Sequence, residues 1–185
     1  MQTLGLSDST PRTENRLKSL FWPSIQNGTD VDYLAVQGFW VCTFVGALSF
    51  GILTIAHAPI IGALVFLLFH FGGVGVREHN PFAASIVLIY YVIDTATSGI
   101  GVLRIIVTAL LLSNLRATWI ADHWRPESEE ADLPPRLGET LSDKIADKWP
   151  AFIWPKIKIL YYIFSFGFLA LVVAGLIVMA MRRHR

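Results

Sequence analysis

Residues 33–76 contain no formally charged side chain, counting histidine as neutral. Drawn as one helix, that run would extend about 66 Å at 1.5 Å per residue. The hydrocarbon core of a bilayer is only about 30 Å thick. A run of this kind must fold back on itself, and His57-Ala58-Pro59 marks the place. A polar residue is followed there by a helix breaker, and the residue before a proline is biased out of helix. This predicts a first span over 34–56 and a second over 60–76, with Thr29 and Asp30 placed to cap the first.

The rest of the chain is equally sparing with charge. Of its 185 residues only 16 % are Asp, Glu, Lys or Arg, against 54 % in the apolar and aromatic set. An average protein is about 25 % charged. Mean hydropathy is +0.53. A disordered chain needs the opposite balance, and a soluble domain does not gather its apolar residues into runs this long.

Arg77, Glu78, His79 and Asn80 make a short polar turn, and Pro81 suits the first turn of a following helix. That helix is expected over 82–97. Two glycines in Ser98-Gly99-Ile100-Gly101 then suggest a tight hairpin. A single helix from 82 to 120 would be about 58 Å long, too long for one crossing. A fourth segment is placed at 102–120, with an in-plane interfacial helix as the alternative.

Residues 121–158 form the one sizeable polar stretch. It carries the acidic cluster Glu127, Glu129, Glu130 and Asp132, then Pro134-Pro135. Leu141, Ile145 and Trp149 follow at four-residue spacing, the pattern of a short amphipathic helix on a membrane surface. Trp149, Trp154, Tyr161 and Tyr162 resemble interfacial anchors for a last span over 159–181, closed by the basic tail 182–185. The fold class expected is all-α: a polytopic membrane helix bundle with five transmembrane helices, or four plus one interfacial helix. Residues 1–33 form a polar lead-in with no small-residue cleavage site after a short apolar region, so the first span reads as a retained anchor. Basic residues concentrate on the side of the lead-in, the Arg77 turn and the long loop. The positive-inside rule then predicts a cytoplasmic N-terminus, although three arginines in the tail oppose it.

Asp94 is the most informative polar residue, because it lies in the last turns of an apolar span and ionisable groups there are costly. In the hairpin, Arg104 comes to a similar depth on the next helix, and His57 ends the first span at the same face. His57, Asp94 and Arg104 are therefore a candidate polar intramembrane site. They can be read as a proton relay or ion site, or as an ion pair that locks the hairpin. Tyr90, Asp94 and Thr97 share a helical face, which is expected to face protein.

His70 lies within the second span. As a haem ligand it would need a second histidine at its depth. His57 is about 20 Å away along the hairpin and His79 about 13 Å away, so only a second copy of the chain would supply one. An interhelical hydrogen bond is the plainer reading. Arg116, Arg16 and Lys18 are candidate contacts to anionic lipid. Arg116 also suits a plain interfacial anchor, with Trp119 and Trp124 beside it. Ala47 and Gly51, Ala170 and Ala174, and Gly72, Gly73 and Gly75 allow close helix packing.

The single cysteine, Cys42, permits no internal disulfide and no zinc cluster. No metal site is expected. No HExxH, P-loop, GxSxG or dinucleotide motif occurs. Near-neutral charge does not point to nucleic acid. The leading expectation is a non-catalytic accessory, assembly or scaffold subunit in contact with lipid and with other membrane chains or its own copy. A small transporter using His57, Asp94 and Arg104 is the second. A haem- or quinone-binding anchor at His70 is the third.

Overall fold

A computed structural model of the chain describes residues 21–25, 28–99, 101–123 and 141–183. Within them lie five helices: α1 (Gly28–Ile55), α2 (Pro59–Arg77), α3 (Pro81–Ser98), α4 (Val102–His123) and α5 (Leu141–Arg183). All five are long and apolar enough to cross a membrane, which fits a multi-pass membrane protein.

The breaks between helices have local causes. His57 takes φ 58°, a left-handed conformation, and Pro59 opens α2. Asn80 caps α3, its Oδ1 accepting from the Ala83 N–H at 3.0 Å, with Pro81 in the first turn. Gly99 ends α3 at φ 97°, where a side chain would be strained.

Each of α1 to α4 packs on its neighbour in sequence, and α4 returns to α1. α5 lies outside this ring, against α2, with side-chain contacts to α3. Two adjoining cores result. One gathers Cys42 and Val45 of α1, Leu68 and Phe69 of α2, Val87, Tyr90 and Tyr91 of α3, and Val107 and Leu111 of α4. The other joins Phe39, Val74 and Ala83 to Ala146, Trp154 and Tyr161 of α5. Cys42 is buried as a small apolar residue.

Three features differ from the sequence reading. α1 begins at Gly28, so Thr29 and Asp30 lie inside its first turn rather than before it. Asp94 and Thr97 are exposed, and only Tyr90 of their shared face turns inward. The surface helix and the last span form one element, α5, which runs through Pro150 and Pro155. Each proline removes an i→i−4 hydrogen bond, yet Pro150 and Trp154 are buried against the bundle, and that packing carries the helix through. At about 64 Å, α5 is twice as long as a bilayer core is thick. The acidic cluster Glu127, Glu129, Glu130 and Asp132, and Pro134-Pro135, lie outside the described residues.

Candidate functional site

The polar side chains gather at two ends. The basal end holds the starts of α1, α3 and α5 and the ends of α2 and α4; the distal end holds the α1–α2 and α3–α4 turns.

At the basal end a single guanidinium joins three helices. Arg77 Nη1 donates to Asp32 Oδ1 of α1 at 2.5 Å, and Nη2 donates to Asp147 Oδ1 of α5 at 2.6 Å. The arginine side chain is 12 % exposed, so both pairs work partly out of water, where a charged hydrogen bond is stronger. Beside it, burial pushes the His79 imidazole below its ordinary range, and the Arg77 charge adds to the shift. Burial raises the Glu78 carboxyl, with Arg77 opposing. Asn80 accepts a second bond, from the Tyr162 hydroxyl at 2.9 Å, which ties α5 to the α2–α3 turn.

The glycines of this end admit close neighbours. A Cβ on Gly72 would stand 2.2 Å from Val87, and one on Gly75 would stand 2.5 Å from the Ala83 Cβ and 2.6 Å from the Trp154 ring. On Gly38 it would meet Val76 at 2.6 Å and the Asn114 amide at 2.9 Å. Asn114 is buried, and neither atom of its amide has a hydrogen-bond partner among the described residues. The Ser113 hydroxyl beside it and the Gln37 carbonyl are in the same state.

His70 stands about two helical turns from Arg77 along α2. Phe66 stacks on its ring at 5.5 Å between centroids, and Phe39, Phe71 and Trp149 complete an aromatic surround. The Trp149 indole N–H meets Nε2 at 3.3 Å, and Thr43 Oγ1 meets Nδ1 at 3.1 Å. An indole N–H can only donate. Nε2 is therefore the acceptor, Nδ1 carries the proton, and the ring is neutral. Both nitrogens are occupied, so a metal could bind His70 only by breaking one of these contacts.

At the distal end Arg104 Nη1 lies 3.3 Å from Asp94 Oδ2 and donates to the Asp94 backbone carbonyl at 3.0 Å. Ser98 Oγ lies 3.2 Å from Asp94 Oδ1. The hairpin thus brings Asp94 and Arg104 together, but with the Asp94 side chain 56 % exposed. His57 is exposed in its own turn and makes no hydrogen bond or ion pair with either. Among the described residues no three His, Cys, Asp or Glu side chains are grouped to hold a metal.

Arg116 donates to the Pro23 carbonyl at 3.0 Å and lies over the Trp22 ring at 5.1 Å, pinning the approach to α1. Arg16 and Lys18 lie outside the described residues. The sequence reading missed the Arg77 clasp and the aromatic surround of His70. The first had a signal in the lone arginine closing an apolar span; the second depends on helix pairing that no local pattern encodes.

No protein-family model matches the chain, and neither curated proteins nor solved structures offer a match.

Proposed function

We propose that the chain is a non-catalytic membrane subunit that accompanies or assembles other membrane chains, its N-terminus cytoplasmic. One observation carries this reading. Beyond Val172, every described side chain of α5 is exposed, including Leu176, Ile177, Met179 and Met181. A span that packs on none of the other described residues offers its whole circumference. The small residues Ala170, Ala174 and Gly175 there allow another helix to approach closely. The polar groups support the same reading: Asp94 and Arg104 pair at an exposed end, and His70 is already satisfied. Basic residues of the basal end, Arg77, Arg116, Lys144 and Lys148, support the cytoplasmic placement.

The test is the native mass of the full chain in mild detergent, with the co-purifying chains identified. Stoichiometric recovery of a partner, and its crosslinking to Ala174→Cys, is the expected result. A monomer that crosslinks to nothing in its native membrane would overturn the proposal.

A small transporter or channel is the second reading, favoured by the buried amide of Asn114, which lies against Gly38 of α1 and has no hydrogen-bond partner among the described residues. On that reading Asp94→Asn and Asn114→Leu should lower ion flux in liposomes without lowering the amount of folded protein. Unchanged flux in both would remove it.

A further inference from the structure

The first four turns of α5 have two unlike faces. Ala146, Pro150 and Trp154 are buried against the bundle, and Asp147 on that side is held by Arg77. The other face is exposed and mixes two chemistries. Leu141, Ile145 and Phe152 supply apolar surface, with Trp149 at its edge turned toward His70, and Lys144, Lys148 and Lys156 stand among them, all exposed. Lys156 Nζ lies 3.3 Å from the centre of the Phe152 ring, so its stem runs along the apolar surface.

Water does not select large apolar side chains at every turn, and the core of a protein interface is depleted in lysine. The level at which acyl chains meet headgroups suits both chemistries. Apolar side chains enter the hydrocarbon boundary there, and lysines snorkel up to negative charge. The position agrees: Lys158 is the last charge before an apolar run that continues the same helix to residue 181.

We infer that the free face of residues 141–156 is a docking surface for anionic phospholipid, with Lys144, Lys148 and Lys156 taking the headgroup phosphates. This site is distinct from the distal half of α5, where a partner chain is proposed. Each lysine near an anionic surface strengthens binding about five-fold, so the three together amount to roughly a hundredfold.

The experiment uses the full chain in non-ionic detergent and follows thermal unfolding. Phosphatidylglycerol, phosphatidylcholine or inorganic phosphate is titrated in turn. Phosphatidylglycerol should raise Tm, the other two should not, and 1 M salt should erase the shift. The triple variant K144Q/K148Q/K156Q should keep the wild-type Tm in phosphatidylcholine and lose the phosphatidylglycerol shift. A shift retained in full by that variant would overturn the inference, as would a wild-type shift indifferent to salt. Reproduction of the shift by free phosphate would also overturn it, because the site would then not be a lipid site. If the triple variant does not fold, the wild-type salt and phosphate arms still decide.

Discussion

The two ends of the bundle are built differently. At the basal end Gly38, Gly72 and Gly75 let side chains come within the reach of a missing methyl group, and Arg77 ties three helices at once. At the distal end a Cβ on Gly51, Gly99 or Gly101 would meet nothing within 4 Å, and the one ion pair described there stands in the open. The same contrast runs along α5, whose Trp154 and Tyr161 are buried while Gly167 and Gly175 face open space. Glycine therefore plays two roles in one chain. At the basal end it is a point of very close contact within the bundle; at the distal end Gly51, Gly99 and Gly101 leave the chain unobstructed, and Gly62 meets Leu53 and Phe50 only at 3.2 Å. The bundle is held from its basal end, and its distal half is presented outward.

Glycine substitutions should expose this difference most strongly. Gly72→Ala and Gly75→Ala force a methyl group into Val87 or Trp154 and should cost up to about 3 kcal/mol, read as a drop in the melting midpoint in mild detergent. Gly51→Ala and Gly175→Ala should stay within about 0.5 kcal/mol. Equal effects at both ends would break the comparison.

Charge comes next. Arg77→Gln takes the guanidinium away from two carboxylates. Because Asp32 and Asp147 are partly exposed, the loss should be about 2 kcal/mol, less than the ~3–5 kcal/mol of a fully buried pair. Adding Asp32→Asn and Asp147→Asn to that variant should recover part of it. Asp94→Asn should cost no more than about 1 kcal/mol, as an exposed pair does. Chemical denaturation of the four proteins side by side would rank them.

Trp149→Phe keeps an aromatic ring beside His70 and removes the indole N–H. The expected loss is about 1 kcal/mol, with a change in the His70 ring nitrogen shifts by NMR. Unmoved shifts would remove the Nε2 contact from the account.

The smallest effect concerns pH. The His79 imidazole titrates below its ordinary 6.5 in the folded protein. Its contribution is therefore complete above about pH 6.5 and declines as pH falls from there toward the lower folded value. The raised Glu78 carboxyl acts with opposite sign, its contribution being lost as pH rises above its ordinary value of 4.5. His79→Asn, which tolerates the left-handed φ of 53° at that position, isolates the histidine. It should flatten the fall in midpoint just below pH 6.5.

Much of the fold was readable before any coordinates. The breaks at His57-Ala58-Pro59, Asn80-Pro81 and Ser98–Gly101 lie between the helices described. The pairing of Asp94 with Arg104 followed from hairpin arithmetic, because it joins residues ten apart across a tight turn. The exposure of that pair did not follow, since sharing a helical face does not say what lies opposite. The unity of α5 was also hidden. Two prolines and a change from charged to apolar composition read locally as a boundary, and only burial of Pro150 and Trp154 on the bundle makes one helix of both halves.

The sequence by itself determined the apolar runs, the turns between the first four of them and their suitability for a membrane. Those properties rest on hydropathy runs and on backbone restrictions at proline, asparagine and glycine, and all of them act within a few residues. Tertiary structure alone decided which glycines are tight, which proton His70 carries, and which carboxylates Arg77 holds. The Arg77–Asp147 bond spans 70 positions and the contact of Trp149 with His70 spans 79. Contacts that distant exist only once whole helices have chosen their neighbours by shape.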